Sequence, residues 1–358
     1  MRKLDKFMRQ GVYNKVFPGG VLLIMKEGRT LFFEAYGYAN MFSKRKMTRD
    51  TVFDLASLTK PLGTTLALML LVQQGKLDIE QDIESFLPEF GHTDKGKIKV
   101  RHLLTHNSGL PDWRPYYRHL REISHDRRRP ALRDFLVNEP LICATGGNVV
   151  YSDLGFMILA WIIERISGKR LDCFAEKNIY TPLGLEALFF TDIRVGPRKG
   201  GYAATEQCPW RNMVLEGLVH DDNAYAAGGI EGHAGLFGTA GAIGSLLSEL
   251  MGNFHGHVSE GILDGNLLNI FFRRQKGTDR ALGFDMPSPH DSACGRYFSE
   301  RTVGHLGFTG TSFWMDMERS LIVILLTNRV HPSRDNFRIK DFRPELHDLA
   351  METFGGQH

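Results

Sequence analysis

The chain has 358 residues, 42% of them hydrophobic and 24% charged, proportions that allow a sizeable globular core. Its 44 basic and 41 acidic side chains leave a net charge of +3, too small a bias to point to a nucleic-acid partner. Residues 1–7 lack the apolar stretch of a signal peptide, and no run reaches bilayer-spanning length, so a cytoplasmic protein without a membrane span is expected.

In chain order, residues 20–37 predict a β-hairpin, two apolar runs flanking the turn Lys26-Glu27-Gly28-Arg29. Residues 51–56 lead into a helix over 57–75, whose run Leu66-Ala67-Leu68-Met69-Leu70-Leu71-Val72 reads as fully buried and whose stop is Gly75. Helical periodicity returns at 97–106, 130–138, 153–167 and 240–251. The basic residues Arg118, Arg121, Arg127, Arg128, Arg129 and Arg133 are interleaved with Glu122 and Asp126, which suits a solvated helix face. Cys143, Cys173, Cys208 and Cys294 are scattered without metal-type pairing and are expected to stay reduced. Runs at 310–315 and 321–326 predict a second strand pair, and 344–354 suits a closing helix. Strands at both ends with helices between predict an α/β (α+β) fold whose antiparallel sheet is completed by both termini. One domain, 1–358, would then comprise a sheet lobe of about 1–56 and 236–358 and a mostly helical lobe of about 57–235.

Within this frame Ser57-Leu58-Thr59-Lys60 puts a hydroxyl and an amine on one helix face. A serine is a poor nucleophile near neutral pH unless a neighbour takes its proton. A lysine whose pKa is lowered by burial and by cationic or phenolic neighbours can do so. The same spacing at Ser43-Lys44-Arg45-Lys46 reads as a solvated turn, whereas Ser57 sits near a helix N-terminus that favours developing negative charge. Tyr151, just before the 153–167 helix, would be a competent base as a phenolate beside Lys60. On a strand edge, Gly304-His305-Leu306-Gly307-Phe308-Thr309-Gly310 offers glycines that let a substrate backbone approach and a Phe308 N–H that can point into the site.

Together, Ser57-x-x-Lys60, Tyr151-x-Asp153 and His305-x-Gly307 resemble the serine β-lactamase and penicillin-binding-protein superfamily, nearest its class C β-lactamase-like and esterase branch. The stretches 100–110, 181–185, 232–237 and 325–332 extend the resemblance over most of the chain. It implies a β-lactamase/transpeptidase-like fold and a serine hydrolase that cleaves an ester or amide through a Ser57 acyl-enzyme. Lys60 and Tyr151 would share the serine proton as a coupled pair, and the Ser57 and Phe308 N–H groups would form the oxyanion hole. No metal or organic cofactor is implied.

Two departures bear on the substrate. Asp153 stands where the lactamase pattern has asparagine, and a carboxylate can hold Lys60 but cannot donate to a substrate amide. His305 stands where lactamases have lysine, and a mostly neutral imidazole recognises a carboxylate weakly. Both turn expectation from β-lactams toward ester or amide chemistry. Asp153, His305 and Gly307 are expected to contact substrate. His220 and Asp221 lie in a polar loop that suits substrate contact and a purely structural role equally. His102 and His106 at i, i+4 suit helix packing and turn hydrogen bonds better than zinc, and Arg329 and His331 suit capping of the sheet and its loop. Small esters, peptidoglycan fragments in cell-wall recycling and β-lactams remain open as substrates, as does the oligomeric state. A ligand-binding protein of the same fold without catalysis is the rival reading.

Overall fold

The apolar runs at the two ends of the chain pair with each other. In the computed structural model, which describes residues 1–257 and 261–356, helix α1 (Arg2–Tyr13) precedes the hairpin of β1 (Gly19–Lys26) and β2 (Arg29–Asn40). Glu27 and Gly28 both take positive φ, 50° and 73°, which matches the twist of a two-residue hairpin turn. Short strands β3 (Arg45–Lys46) and β4 (Phe53–Asp54) lead to a 3-10 turn over Ala56–Leu58, a π-helical segment over Lys60–Thr65 and helix α2 (Leu66–Gln73). The middle of the chain carries α3 (Val100–Leu104), α4 (His125–Asn138), α5 (Asp153–Ser167), β5 (Leu188–Phe190), α6 (Asp222–Ala226), β6 (Leu236–Gly238) and α7 (Ala240–Phe254). Strands β7 (Thr302–Leu306), β8 (Ser312–Asp316) and β9 (Leu321–Thr327) and helix α8 (Ile339–Phe354) close it.

The six-stranded antiparallel sheet runs β3-β2-β1-β9-β8-β7, so Leu22 lies opposite Leu325 across the seam between the two chain ends. Every residue of β9 is buried, because both faces of the sheet are covered. Leu22, Ile24, Val323 and Leu325 pack with Leu4 and Met8 of α1 and Leu346 of α8. The alternate positions Val21, Leu23, Ile322 and Ile324 join the larger core with Ile243 and Leu247 of α7. That core continues through α2, whose residues 66–71 are all buried, and through α5.

Helix α1 was not expected. It buries Leu4, Met8 and Gly11 and packs the half-buried Phe7 and Val12 beside them, an i, i+3, i+4, i+7, i+8 apolar face. Helices α4 and α8 begin before Pro130 and Pro344, which sit inside them rather than opening them. The basic run is not simply solvated either. Arg129 and Arg133 each donate to the largely buried Glu164 carboxylate, at 2.8 and 2.7 Å, and so clamp α4 to α5. All four cysteines are free thiols, and among the described residues no helix is long and apolar enough to cross a membrane.

Leu68 on α2 is fully buried. Leu68→Ala should cost about 2–5 kcal/mol and lower the denaturant midpoint at unchanged slope; a midpoint within error of wild type would contradict this packing.

Candidate active site

Strand β4 delivers the chain to Ala56, whose φ of 48° is in the left-handed region that a residue with a Cβ seldom adopts. The Asp54 carboxylate holds that bend: Oδ1 accepts the Ala56 N–H at 2.9 Å and Oδ2 accepts the His220 N–H at 2.6 Å. Thr59 braces the other side, donating to the Ala56 carbonyl at 2.6 Å and accepting the Leu236 N–H at 3.1 Å. Ser57, half-buried, is left on the cleft wall. The wide π-helical turn then carries Lys60 inward, where its side chain is 0% exposed and must find its partners inside the protein.

Those partners come from the start of α5. Lys60 Nζ donates to Ser57 Oγ at 3.1 Å and to Asp153 Oδ1 at 2.6 Å, and lies 4.6 Å from the centroid of the Tyr151 ring. Burial opposes the Lys60 charge, but the Asp153 carboxylate and Tyr151 outweigh it and hold the ammonium above the usual lysine pKa. The expectation of a lowered lysine pKa is thereby corrected, and the cause is the close carboxylate. Burial likewise pushes the Tyr151 phenol up, against the pull of Lys60. The resting pair at neutral pH is therefore ammonium and phenol, titrating together.

Burial also pushes His305 down to about 4, so the imidazole is neutral, with Nδ1–H donated to the Leu306 carbonyl at 2.8 Å. Its ring lies 6.0 Å from that of Tyr151. Beyond it, Thr309 and Thr311 hydroxyls donate to the carbonyls of Asp54 and Leu55 at 2.8 and 3.1 Å, tying this strand edge to the segment before Ser57. The Ser57 and Phe308 N–H groups have no backbone acceptor among the described residues. The glycines also let the backbone close up across this seam. A Cβ on Gly307 would sit 2.6 Å from the Leu55 carbonyl oxygen, and one on Gly310 would collide with the Thr327 hydroxyl.

His220 and Asp221 are both structural and in the wall. With Ser57 and Asp153 they line a cavity of about 330 Å³. The His220 ring stacks on Phe308 at 5.6 Å, and its Nε2 faces Glu206 at 3.2 Å. Asp221 caps α6 through the Ala224 N–H at 2.7 Å and accepts His233 Nε2 at 2.9 Å. Asp153, Asp221 and His233 present ligand-type atoms within 4.8 Å of one another, yet the Asp153 charge already serves the Lys60 ammonium.

Two contributors went unrecognised in the sequence. Asp54 shapes the bend before Ser57. His106 Nδ1 accepts the Ser152 N–H at 2.9 Å, and its ring packs 4.5 Å from Tyr151, so it positions the Tyr151–Asp153 segment. Burial holds its pKa well below the ordinary value, keeping Nδ1 free to accept. The sequence reading gave His106 only helix packing and turn hydrogen bonds; its bond to the Ser152 N–H reaches a segment 46 positions away. His102 Nδ1 accepts the Lys99 N–H at 3.1 Å, as a helix-start hydrogen bond. His331 donates to the Thr205 carbonyl at 2.8 Å, and Arg329 caps three loop carbonyls, as expected.

A family model described as Beta-lactamase matches residues 4–347. An N-acetylmuramyl-L-alanine amidase of Bacillus subtilis (strain 168) is 35% identical over 363 residues, covering 92% of this chain and 81% of the relative. Among solved structures, EstCE1, a hydrolase with promiscuous acyltransferase activity, superposes with a TM-score of 0.72 at 22% identity, covering 96% of this chain and 98% of that one. The octameric penicillin-binding protein homologue from Pyrococcus abyssi superposes at 0.75 and 20% identity, covering 98% and 77%.

Asp153→Asn removes the counter-charge from a buried ammonium. Lys60 should then titrate at lower pH in NMR of carbon-labelled lysine, with a loss of roughly 3–5 kcal/mol in stability at neutral pH. An unmoved Lys60 titration would contradict the ion pair's control of its charge.

Proposed function

This chain belongs to the Beta-lactamase family and is a hydrolytic serine enzyme, and we propose that Ser57 is its nucleophile, served by Lys60 and Tyr151. The observation that carries the proposal is Lys60: a wholly buried ammonium, 3.1 Å from a serine oxygen on the wall of the cleft. A non-catalytic binding protein has no need to bury a lysine at that distance from an otherwise ordinary serine.

The reaction begins from the minor form of the Lys60–Tyr151 pair that lacks one proton. That form accepts the Ser57 proton as Oγ adds to the substrate carbonyl. The Ser57 and Phe308 N–H groups receive the oxyanion, placed beforehand by the Asp54, Thr309 and Thr311 hydrogen bonds. Collapse expels the leaving alcohol or amine, which takes the proton held by the pair. Water then attacks the acyl-enzyme, giving a proton to the same pair, which passes it to Ser57 Oγ as the acid is released. Asp153 holds the lysine and offers no donor to the substrate. His305, neutral, presents an imidazole beside Tyr151.

Peptidoglycan fragments are the substrate class this reading favours, with an N-acetylmuramyl-peptide amide as the bond cleaved. The amidase named among the relatives supports it, at 35% identity over 92% of this chain. Small esters share the mechanism and serve as convenient probes. Recycling of imported wall fragments in the cytoplasm is the setting that this chemistry suggests.

Ser57→Ala should abolish hydrolysis of a short p-nitrophenyl ester and of an N-acetylmuramyl peptide. Lys60→Ala and Tyr151→Phe should each lower kcat/KM by about 10²–10⁴-fold. Tyr151→Phe at wild-type rate would remove the phenol from the mechanism. Because both pKa values are raised, the proton-deficient form is scarce at neutral pH and grows with alkalinity. Thus log kcat/KM should rise with pH above 7, with a slope approaching about one. A flat profile between pH 6 and 9 would contradict this proton inventory.

A further inference from the structure

Two cavities, of about 330 and 410 Å³, meet at Ser57, Tyr151 and Phe308. The smaller is lined by His233, to which the proposed mechanism gives no task. The loop that carries this histidine has little freedom. Thr64, in the same π-helical turn as Lys60, donates to the Gly232 carbonyl at 2.7 Å, and a Cβ on Gly232 would collide with the Phe156 carbonyl oxygen of α5. His233 is thereby wedged between the turn that aims the lysine and the helix that begins at Asp153.

Its surroundings are charged. The residue is 1% exposed, and a ring nitrogen lies within 4.8 Å of carboxylate oxygens of both Asp221 and Asp153. Nε2 meets Asp221 Oδ1 at 2.9 Å, while Nδ1 has no partner among the described residues. The other charged neighbours are committed elsewhere. Glu231, two positions earlier, pairs with Arg129 at 3.6 Å, His220 faces Glu206 at 3.2 Å, and Lys60 is bound to Asp153 at 2.6 Å. Two carboxylates therefore share one ammonium unless the imidazole carries a proton, and with that proton the four charges sum to zero. Burial opposes a charge on His233, but Asp221, and then Asp153, outweigh it and raise its pKa above the ordinary histidine value. Burial also opposes the Asp221 charge, and the His233 ring outweighs it in turn, holding that carboxyl well below its usual range.

We propose that His233 is a positioning residue for the proton chemistry: held as an imidazolium, it cancels Asp221, so that Lys60 answers to Asp153 alone. This rests on the reading that the Lys60–Tyr151 pair takes the Ser57 proton. A carboxylate near an ammonium makes it harder to deprotonate, and a second, unmatched one makes the proton-deficient form of the pair scarcer still. Asp221 is placed to do this, since it belongs to the same 4.8 Å cluster as the carboxylate that grips the lysine. The imidazolium removes that effect and takes no proton from Ser57 itself.

NMR of nitrogen-labelled histidine in the wild-type protein tests the first half of the proposal. His233, assigned by its absence from His233→Gln, should show both ring nitrogens protonated at pH 7; a neutral ring there would overturn the proposal. The rate at which a fluorophosphonate labels Ser57 tests the second half. In that reaction Oγ bonds to phosphorus, fluoride leaves and the serine proton passes to the pair, so the rate follows the supply of base. His233→Gln should label about 10-fold more slowly at pH 7.5, the equivalent of one pKa unit on the pair. Adding Asp221→Asn should recover most of that loss, because the unmatched charge is gone while an oxygen remains for the Ala224 N–H. An unchanged rate in His233→Gln would overturn the proposal. A double variant as slow as the single one would also overturn it, leaving His233 a packing residue only. Absence of labelling in the wild type would instead remove the Ser57 reading, and the imidazolium signal would then decide the charge balance alone.

Discussion

A lysine ammonium with no exposed surface is the constraint around which the site is arranged. A buried charge must be paired and hydrogen-bonded, and Lys60 has Asp153 at 2.6 Å and Ser57 Oγ at 3.1 Å. Meeting that requirement fixes a good deal else. The π-helical turn over Lys60–Thr65 must aim the side chain inward, and the start of α5 must lie against it. His106 must hold the Ser152 N–H so that Tyr151 and Asp153 keep their places on either side of it. In the proposed mechanism the carboxylate that stabilises the ammonium also makes the base scarce, so stability of the resting site and availability of the proton acceptor oppose each other.

The cleft is organised by what stands on each side of Phe308. One side has Asp153, Asp221 and His233, with their charges matched among themselves and Lys60. The other has guanidinium groups matched chiefly by carbonyl dipoles. Phe308 stands between them, its ring stacked on His220 and under Arg329, whose Cζ lies 4.5 Å from the centroid. The threonine bonds from 309 and 311 to the backbone at 54–55 fix this divider relative to Ser57. The Phe308 N–H and the boundary between the two cavities are thus placed by one short strand edge.

Much of this was legible in the sequence, and the limits have physical causes. The strands of both termini were readable because a sheet covered on two faces leaves long apolar runs, and Ser57, Lys60, Tyr151 and His305 because their spacings are local. What escaped depended on distances between segments. The lysine's charge state turns on a carboxylate 93 positions away whose identity was known but whose separation was not. Arg129 and Arg133 look solvated until Glu164 is brought to them. Gly307 was read as a close approach to substrate, and only the fold reveals a second close approach, to Leu55 and Thr311.

The central claim is that the buried Lys60–Asp153 pair serves an acylated Ser57. Acid quenching during turnover of a short p-nitrophenyl ester, followed by intact-mass and peptide mass spectrometry, tests it most directly. The account predicts a transient adduct of the acyl mass on the Ser57 peptide, absent from Ser57→Ala. Turnover with no adduct in repeated quenches, or an adduct that persists in Ser57→Ala, would contradict it.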